Sequence, residues 1–300
     1  MKFPGFVALI LLLVVGVIFS TMLRAQSEQA AHVIPVRIGD VFRSVQLHIP
    51  AEHDGETPLP LVFNLHGTGR SAEHQELLSG MSAVADEEQF LVAGGMAVFK
   101  PHGPVTWNAV LDPDGVSDID YIVAAIDVID RKVPVDRKRI FATGMSGGGR
   151  MSSRIACELS TSIAAVAPVA GVQFGANCNP VRPIPLITFH GLNDEVNTYS
   201  GNDAERNPFW VAGVEEAIAS WVDNNGCGDE PVVKEQTDDV TRLSYPECAE
   251  GADVVFYRIR NAGHTWPGSA EYSKRTDRVT NMEIDASRLI WEFFDAHPLP

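Results

Sequence analysis

Three residues far apart in the chain, Ser146, Asp194 and His264, have the types and the order needed for nucleophilic acyl chemistry. A serine hydroxyl is a poor nucleophile at neutral pH and needs an imidazole to take its proton. The imidazole needs a carboxylate, which fixes its tautomer and stabilises its charged form. Ser146 stands within Gly144-Met145-Ser146-Gly147-Gly148, a G-x-S-x-G pattern. In such a turn glycines let a strand and a helix approach closely, and the serine is held in strained backbone with its hydroxyl exposed. The pattern alone is weak evidence, so strand and helix context and the downstream partners decide. The chemistry also needs preorganised donors for an oxyanion. Those expected here are the backbone N–H groups of Gly147 and Thr68, with Gly67 or Gly69 as alternatives to Thr68.

The elements around these residues must bring them to one place. Residues 33–49 alternate apolar and polar positions and predict a β-hairpin at a sheet edge. The continuous apolar runs 61–65, 90–93, 163–169, 185–189 and 254–259 predict strands covered on both faces, as does the short strand before Ser146. Helices are expected over 73–84, from Ser117 to Asp130, after Ser146 to about Leu159, from Asn207 to Val222, and at the C-terminus. Ser117 with Asp120, and Thr280 with Glu283, have capping-box spacing. Residues 94–113 carry Gly, Pro and aromatics without a period and predict a long loop. Strands alternating with helices imply an α/β fold with a mostly parallel sheet and helices on both faces. Ligands in such sheets lie beyond the C-terminal strand ends. There the polar segments His66-Gly67-Thr68, Ser146, His190-Gly191-Leu192-Asn193-Asp194 and Asn261-Ala262-Gly263-His264 converge.

The 300 residues are 45% hydrophobic and 21% charged, enough for one large core. A net charge of −16 disfavours nucleic acid and anionic membrane surfaces as partners, since like charge repels. Lys2 precedes an uncharged apolar run, 3–23, followed by Arg24. That pattern suits a signal peptide or, at this length, an uncleaved membrane anchor. The expected organisation is a signal or anchor over 1–25, a linker over 26–32 and one catalytic domain over 33–300. Cys157, Cys178, Cys227 and Cys248 suit an oxidising compartment and allow three connectivities. Cys157–Cys178 and Cys227–Cys248 are expected, the second clamping a hairpin formed by 232–236 and 240–244. No CxxC is present, so zinc is not expected.

Other residues invite competing assignments. Asp112, Asp114, Asp118 and Asp120 do not have calcium-loop spacing, and a turn with a helix cap explains them better. Asp203 rivals Asp194 as the acid, and His102 lies in the long loop where substrate could reach it. His66 and His190 each precede a glycine and would brace their turns, His66 also standing where it could touch substrate. Trp266, two residues from the expected base, Trp107 and Trp210 are candidates for an apolar substrate wall, with core or rim packing the alternative for Trp107 and Trp210. His32, His48, His53, His74 and His297 read as surface residues.

At these positions the chain resembles the secreted α/β-hydrolase esterase family of feruloyl esterases and polyhydroxybutyrate depolymerases. The shared elements are Leu65-His66-Gly67, the Gly144–Met151 segment, Ala156-Cys157, Ala167-Pro168-Val169-Ala170-Gly171, His190-Gly191-x-x-Asp194, Asn225-Gly226-Cys227 and Gly263-His264-Thr265-Trp266-Pro267-Gly268. The resemblance implies Ser146 as nucleophile, Asp194 as acid and His264 as base. The chain departs from the pattern at Gly147, at 93–99 and at Asn261-Ala262, loops that would border the leaving group. The resemblance and the residues together lead to the expectation of an exported serine carboxylesterase acting through an acyl-enzyme, with no cofactor. Feruloyl esters of plant polysaccharide lead as substrates, with polyester oligomers next. A peptidase of the same fold and a non-catalytic polymer-binding protein are the rivals. Because only a neutral imidazole accepts the serine proton, kcat/KM should rise with pH toward neutrality.

Overall fold

The computed structural model describes residues 31–100, 103–109, 116–201, 207, 209–210, 212–274 and 277–300. The expected signal or anchor segment, His102, Asp112, Asp114 and Asp203 lie outside the described residues. Ten strands form one sheet in the order β1-β2-β4-β3-β5-β6-β7-β10-β9-β8. They are β1 (His32–Ile38), β2 (Val41–His48), β3 (Leu59–Leu65), β4 (Leu91–Gly95), β5 (Val135–Met145), β6 (Ala165–Val169), β7 (Leu186–Gly191), β8 (Val232–Glu235), β9 (Val240–Tyr245) and β10 (Val254–Ile259). The six strands from β4 through β10 in that order run parallel. Antiparallel hairpins, β1–β2 and β8–β9, flank them.

The parallel strands are mostly apolar where both faces are covered, while the start of β5, Asp136 to Arg139, is polar and largely open to solvent. In β3, Leu61, Phe63 and Leu65 pack on one face while Val62 packs on the other, as the period of two requires. The first face is covered by α3 (Asp118–Asp130), α4 (Gly147–Glu158) and α5 (Val214–Asn224), through residues such as Ile122, Ile126, Met151, Ile155, Ile218 and Trp221. The second is covered by α1 (Ala72–Ser79), α2 (Met81–Glu88) and α7 (Ala286–Asp295), through Leu78, Met81, Val84, Ile290 and Phe294. A short α6 (Ala270–Ser273) lies between β10 and α7. Each such large apolar side chain, fully buried, contributes about 1.5–3 kcal/mol relative to exposure.

Four boundaries differ from expectation. The single helix over 73–84 is two helices, because Gly80 adopts a left-handed φ of 59° that closes α1 and opens α2. Gly94 and Gly95 belong to β4 rather than to the following loop. The helix expected from Asn207 begins at Val214: Trp210 is buried and its indole donates to Thr198 O, which holds that segment as a packed loop. The closing helix is capped by Asp285, whose carboxylate accepts from the Ser287 and Arg288 amides, and not by Thr280 with Glu283. Glu283 instead accepts from Thr237 and Asn281. The Ser117 cap holds, its hydroxyl accepting from Asp120 N at 3.1 Å. Cys157 is bonded to Cys178 and Cys227 to Cys248, as expected.

Candidate active site

Ser146 sits at the point where β5 turns into α4, with φ 58° and ψ −114°. That is a conformation a non-glycine residue holds only when its surroundings over-determine it. They do so here. Ser146 N donates to Val169 O at 2.9 Å, and Ser146 O accepts from Arg150 N at 2.9 Å. The chain crosses β3 so closely that a Cβ on Gly144 would lie 2.4 Å from Leu65 O, and one on Gly148 only 1.9 Å from it. Glycine at both positions is therefore a steric requirement of the crossing.

The turn after β3 runs alongside. Gly67 lies close enough that a Cβ there would be 3.5 Å from Ser146 Cβ, and a Cβ on Gly147 would be 3.0 Å from Thr68 N. The Thr68 and Gly147 amides are thus on adjacent chain segments. The turn is fixed by Gly69 N donating to Val105 O at 2.7 Å, and Trp107 Nε1 to His66 O at 2.8 Å. Ala97 N donates to His66 Nε2 at 3.1 Å, and the Thr68 and Thr106 hydroxyls are 2.8 Å apart.

Asp194 follows β7 and His264 follows β10, which neighbour each other in the sheet. His264 Nδ1 and Asp194 Oδ2 are 2.7 Å apart, with the Asp194 side chain fully buried. The other carboxylate oxygen accepts from Val196 N and Asn197 N, both at 2.8 Å. Burial would raise the Asp194 carboxyl, but the His264 hydrogen bond, the charges of His264 and His190 and the Asn197 amide outweigh it and hold it below its ordinary value. An ionised Asp194 accepts only, so His264 Nδ1 carries the donated proton and its Nε2 is the free acceptor. Arg278 Nη1 donates to His264 O at 3.1 Å, tying that turn down from outside.

Ser146 and His264 line the same cavity of about 160 Å³, together with Thr68, Arg70, Tyr272 and Arg278. Among the described residues no hydrogen bond joins the hydroxyl directly to the ring. Such bonds commonly tighten only when substrate closes the site.

The residues expected to touch substrate lie elsewhere. His66 is fully buried and spends both ring nitrogens on Gly67 O and Ala97 N. Trp107 packs against His66 and Tyr121, and Trp266 is sealed in the second core face with its indole on Ser287 Oγ. All three support the loops rather than form a substrate wall. His190 is buried, bonded to Asn197 O at 2.8 Å and 3.4 Å from Asp194 Oδ2, and desolvation lowers its pKa. Asp118 of the acidic cluster is an internal ion-pair partner, 2.6 Å from Arg43, and accepts from Asn108 N. Sequence reasoning missed Asn197, Arg150, Tyr272 and Arg278. The one available signal was Arg150, a charge on the apolar face of a helix one turn past the serine.

No family model matches the chain. Feruloyl esterase B of Piromyces equi is 31% identical over 230 residues, 74% of this chain but only 42% of its own length, so this chain spans less than half of that relative. The protein named "Putative esterase NocK" of Nocardia uniformis subsp. tsuyamanensis is 30% identical over 253 residues, 75% of this chain and 71% of its own. The acetyl xylan esterase structure from Aspergillus awamori superposes with a TM-score of 0.54 at 13% identity, covering 74% of this chain and 89% of that one, which is a likeness of fold. With its mostly parallel sheet, its strained serine between strand and helix and these relatives, the chain belongs to the α/β-hydrolase esterase family that includes the feruloyl esterases.

Proposed function

We propose that this protein is a serine carboxylesterase in which Ser146, His264 and Asp194 form a catalytic triad. The observation that carries the assignment is the buried Asp194–His264 pair, 2.7 Å apart, facing a cavity shared with a serine in strained backbone. Ser146 Oγ attacks the ester carbonyl carbon while His264 Nε2 takes its proton. The tetrahedral oxyanion lies toward the Thr68 and Gly147 amides; one such donor is worth about 3–4 kcal/mol of transition-state stabilisation. The bond to the alcohol oxygen then breaks as His264 returns the proton to it, leaving an acyl-serine. Water attacks that acyl group, its proton passing to His264 and on to Ser146 Oγ as the carboxylic acid departs. Asp194 stays ionised throughout, orienting the ring.

The relatives' names favour feruloyl esters as substrates, with acetyl esters next; hydroxyalkanoate esters compete through the sequence resemblance alone. Export is supported by two disulfides, which suit an oxidising compartment, and by the apolar N-terminal run, whether cleaved or kept as a tether. Initial rates on methyl ferulate, acetylated xylan and 3-hydroxybutyrate oligomers test the substrate. The highest kcat/KM is expected on methyl ferulate; a higher value on either other substrate reassigns it, and peptide turnover exceeding all three would make the chain a peptidase.

A further inference from the structure

The lining of the cavity around Ser146 differs in charge from the protein as a whole, although Asp277 lies 4.0 Å from Arg278 and, with Glu195, lines the cavity next to it. The chain has a net charge of −16, yet the cavity around Ser146 is lined by Arg70 and Arg278 and, among the described residues, by no Asp or Glu. Directly behind the Thr68 turn lies a third arginine, Arg150, only 4% exposed. Its Nη2 donates to Thr68 Oγ1 and its Nη1 to Asn197 Oδ1, both at a long 3.3 Å, and its guanidinium lies 5.7 Å from the Phe209 ring centroid. A guanidinium has five N–H donors. Those two are the ones with acceptors among the described residues, and both acceptors are neutral.

A buried cation is ordinarily paired with a carboxylate, because desolvation is otherwise uncompensated. Arg150 has no such partner among the described residues, and burial alone pulls its pKa down to about 10. It does border space. A second cavity of about 150 Å³ runs along α4, and its lining includes Arg150, Ser153, Arg154, Glu158, Gln173 and Asn177. Glu158 pairs with Arg154 at 2.5 Å, which leaves Arg150 as the charge of that cavity with no ionic partner among the described residues. Arg150 is one helical turn beyond Ser146, about 6 Å along the axis. Guanidinium geometry suits a carboxylate, which it can hold through two parallel hydrogen bonds.

We propose that Arg150 is a specificity-determining residue which seats a free carboxylate on the non-reacting part of the ester, in the cavity along α4. The proposal rests on the esterase assignment and adds a substrate class to it: esters that carry a second, unesterified acid group. Arg70 and Arg278 would draw such a substrate in, and Arg150 would hold it once desolvated.

The test pairs two esters of a six-carbon diacid, p-nitrophenyl hydrogen adipate and its neutral counterpart p-nitrophenyl methyl adipate. Wild type should favour the charged ester by about tenfold or more in kcat/KM. In Arg150→Met the ratio should fall to about one or below, and Arg150→Lys should keep part of the preference. A wild-type ratio at or below one overturns the proposal without any variant. So does a preference that survives in folded Arg150→Met, or one that is lost in Arg278→Gln while Arg150→Met retains it. If neither ester is turned over, the esterase assignment fails separately. Calorimetric binding of adipate to Ser146→Ala then still decides the subsite: saturable binding abolished by adding Arg150→Met supports it, and no binding overturns it.

Discussion

The middle of the sheet and its outer hairpin solve different problems. At the C-terminal ends of β5, β7 and β10, Ser146 N and O, Asp194 N and His264 O each have a hydrogen-bond partner, and the side chains of Asp194 and His264 are nearly or fully buried. β8 is exposed along its whole length, including Val232 and Val233, and its hairpin is tied to the body by Cys227–Cys248 after α5 and β9. The first region holds Ser146 in strained backbone near the buried Asp194–His264 pair. The second relies on a covalent clamp because it has little core of its own. Sensitivity to substitution should therefore separate sharply, with chemistry lost from the centre and only stability lost from the rim.

Among changes that leave the nucleophile in place, the largest effect should come from Asp194→Asn, which keeps the shape but removes the acceptor that fixes the His264 tautomer. Loss of about 10⁴-fold in kcat is expected in ester-hydrolysis assays. The same carboxylate links stability to pH. Its pKa is held below the unfolded value, so its stabilisation is complete above about pH 4 and disappears as pH falls through the lower folded value. Acid unfolding followed by circular dichroism should show less of that loss in Asp194→Asn. A fully active Asp194→Asn would erase the distinction between centre and rim.

Next in size is the clamp. Replacing Cys227 and Cys248 together by serine opens a loop spanning 21 residues of sequence separation and should cost about 3 kcal/mol in denaturant unfolding. Below the new melting point kcat/KM should change little; a large drop there would mean that the hairpin shapes the site. Smallest of all should be Val233→Lys on β8. At an exposed edge-strand position the change should stay within about 0.5 kcal/mol, and a larger loss would show that β8 has a buried face.

The centre was also the legible part of the sequence. Glycines at 144 and 148, polar segments at strand ends and unbroken apolar runs all report close backbone approach or two-sided burial, which are local demands on residue type. Both disulfides could be placed by pairing neighbours along the chain, each pair 21 residues apart. Less legible was anything decided by tertiary packing. Trp107 and Trp266 read as wall or core alike, because an aromatic beside a site has the same sequence signature whichever way its ring turns. The start of α5 was misplaced because the burial of Trp210 overrode a helix-compatible pattern. Thr280 with Glu283 matched a cap motif, but Asp285, closer to the apolar face, took the role. Arg150 was passed over because a charge in an apolar helix stripe shows neither its burial nor whether an acidic partner lies beside it, and among the described residues none does.

The central claim is that Ser146 is made nucleophilic by the Asp194–His264 pair. A fluorophosphonate probe followed by peptide mass mapping tests it most directly. The expected result is stoichiometric labelling of the peptide containing Ser146 in wild type, much slower labelling in Asp194→Asn, and none in Ser146→Ala. Absence of labelling in folded wild type, or a label on another residue that persists in Ser146→Ala, would contradict it.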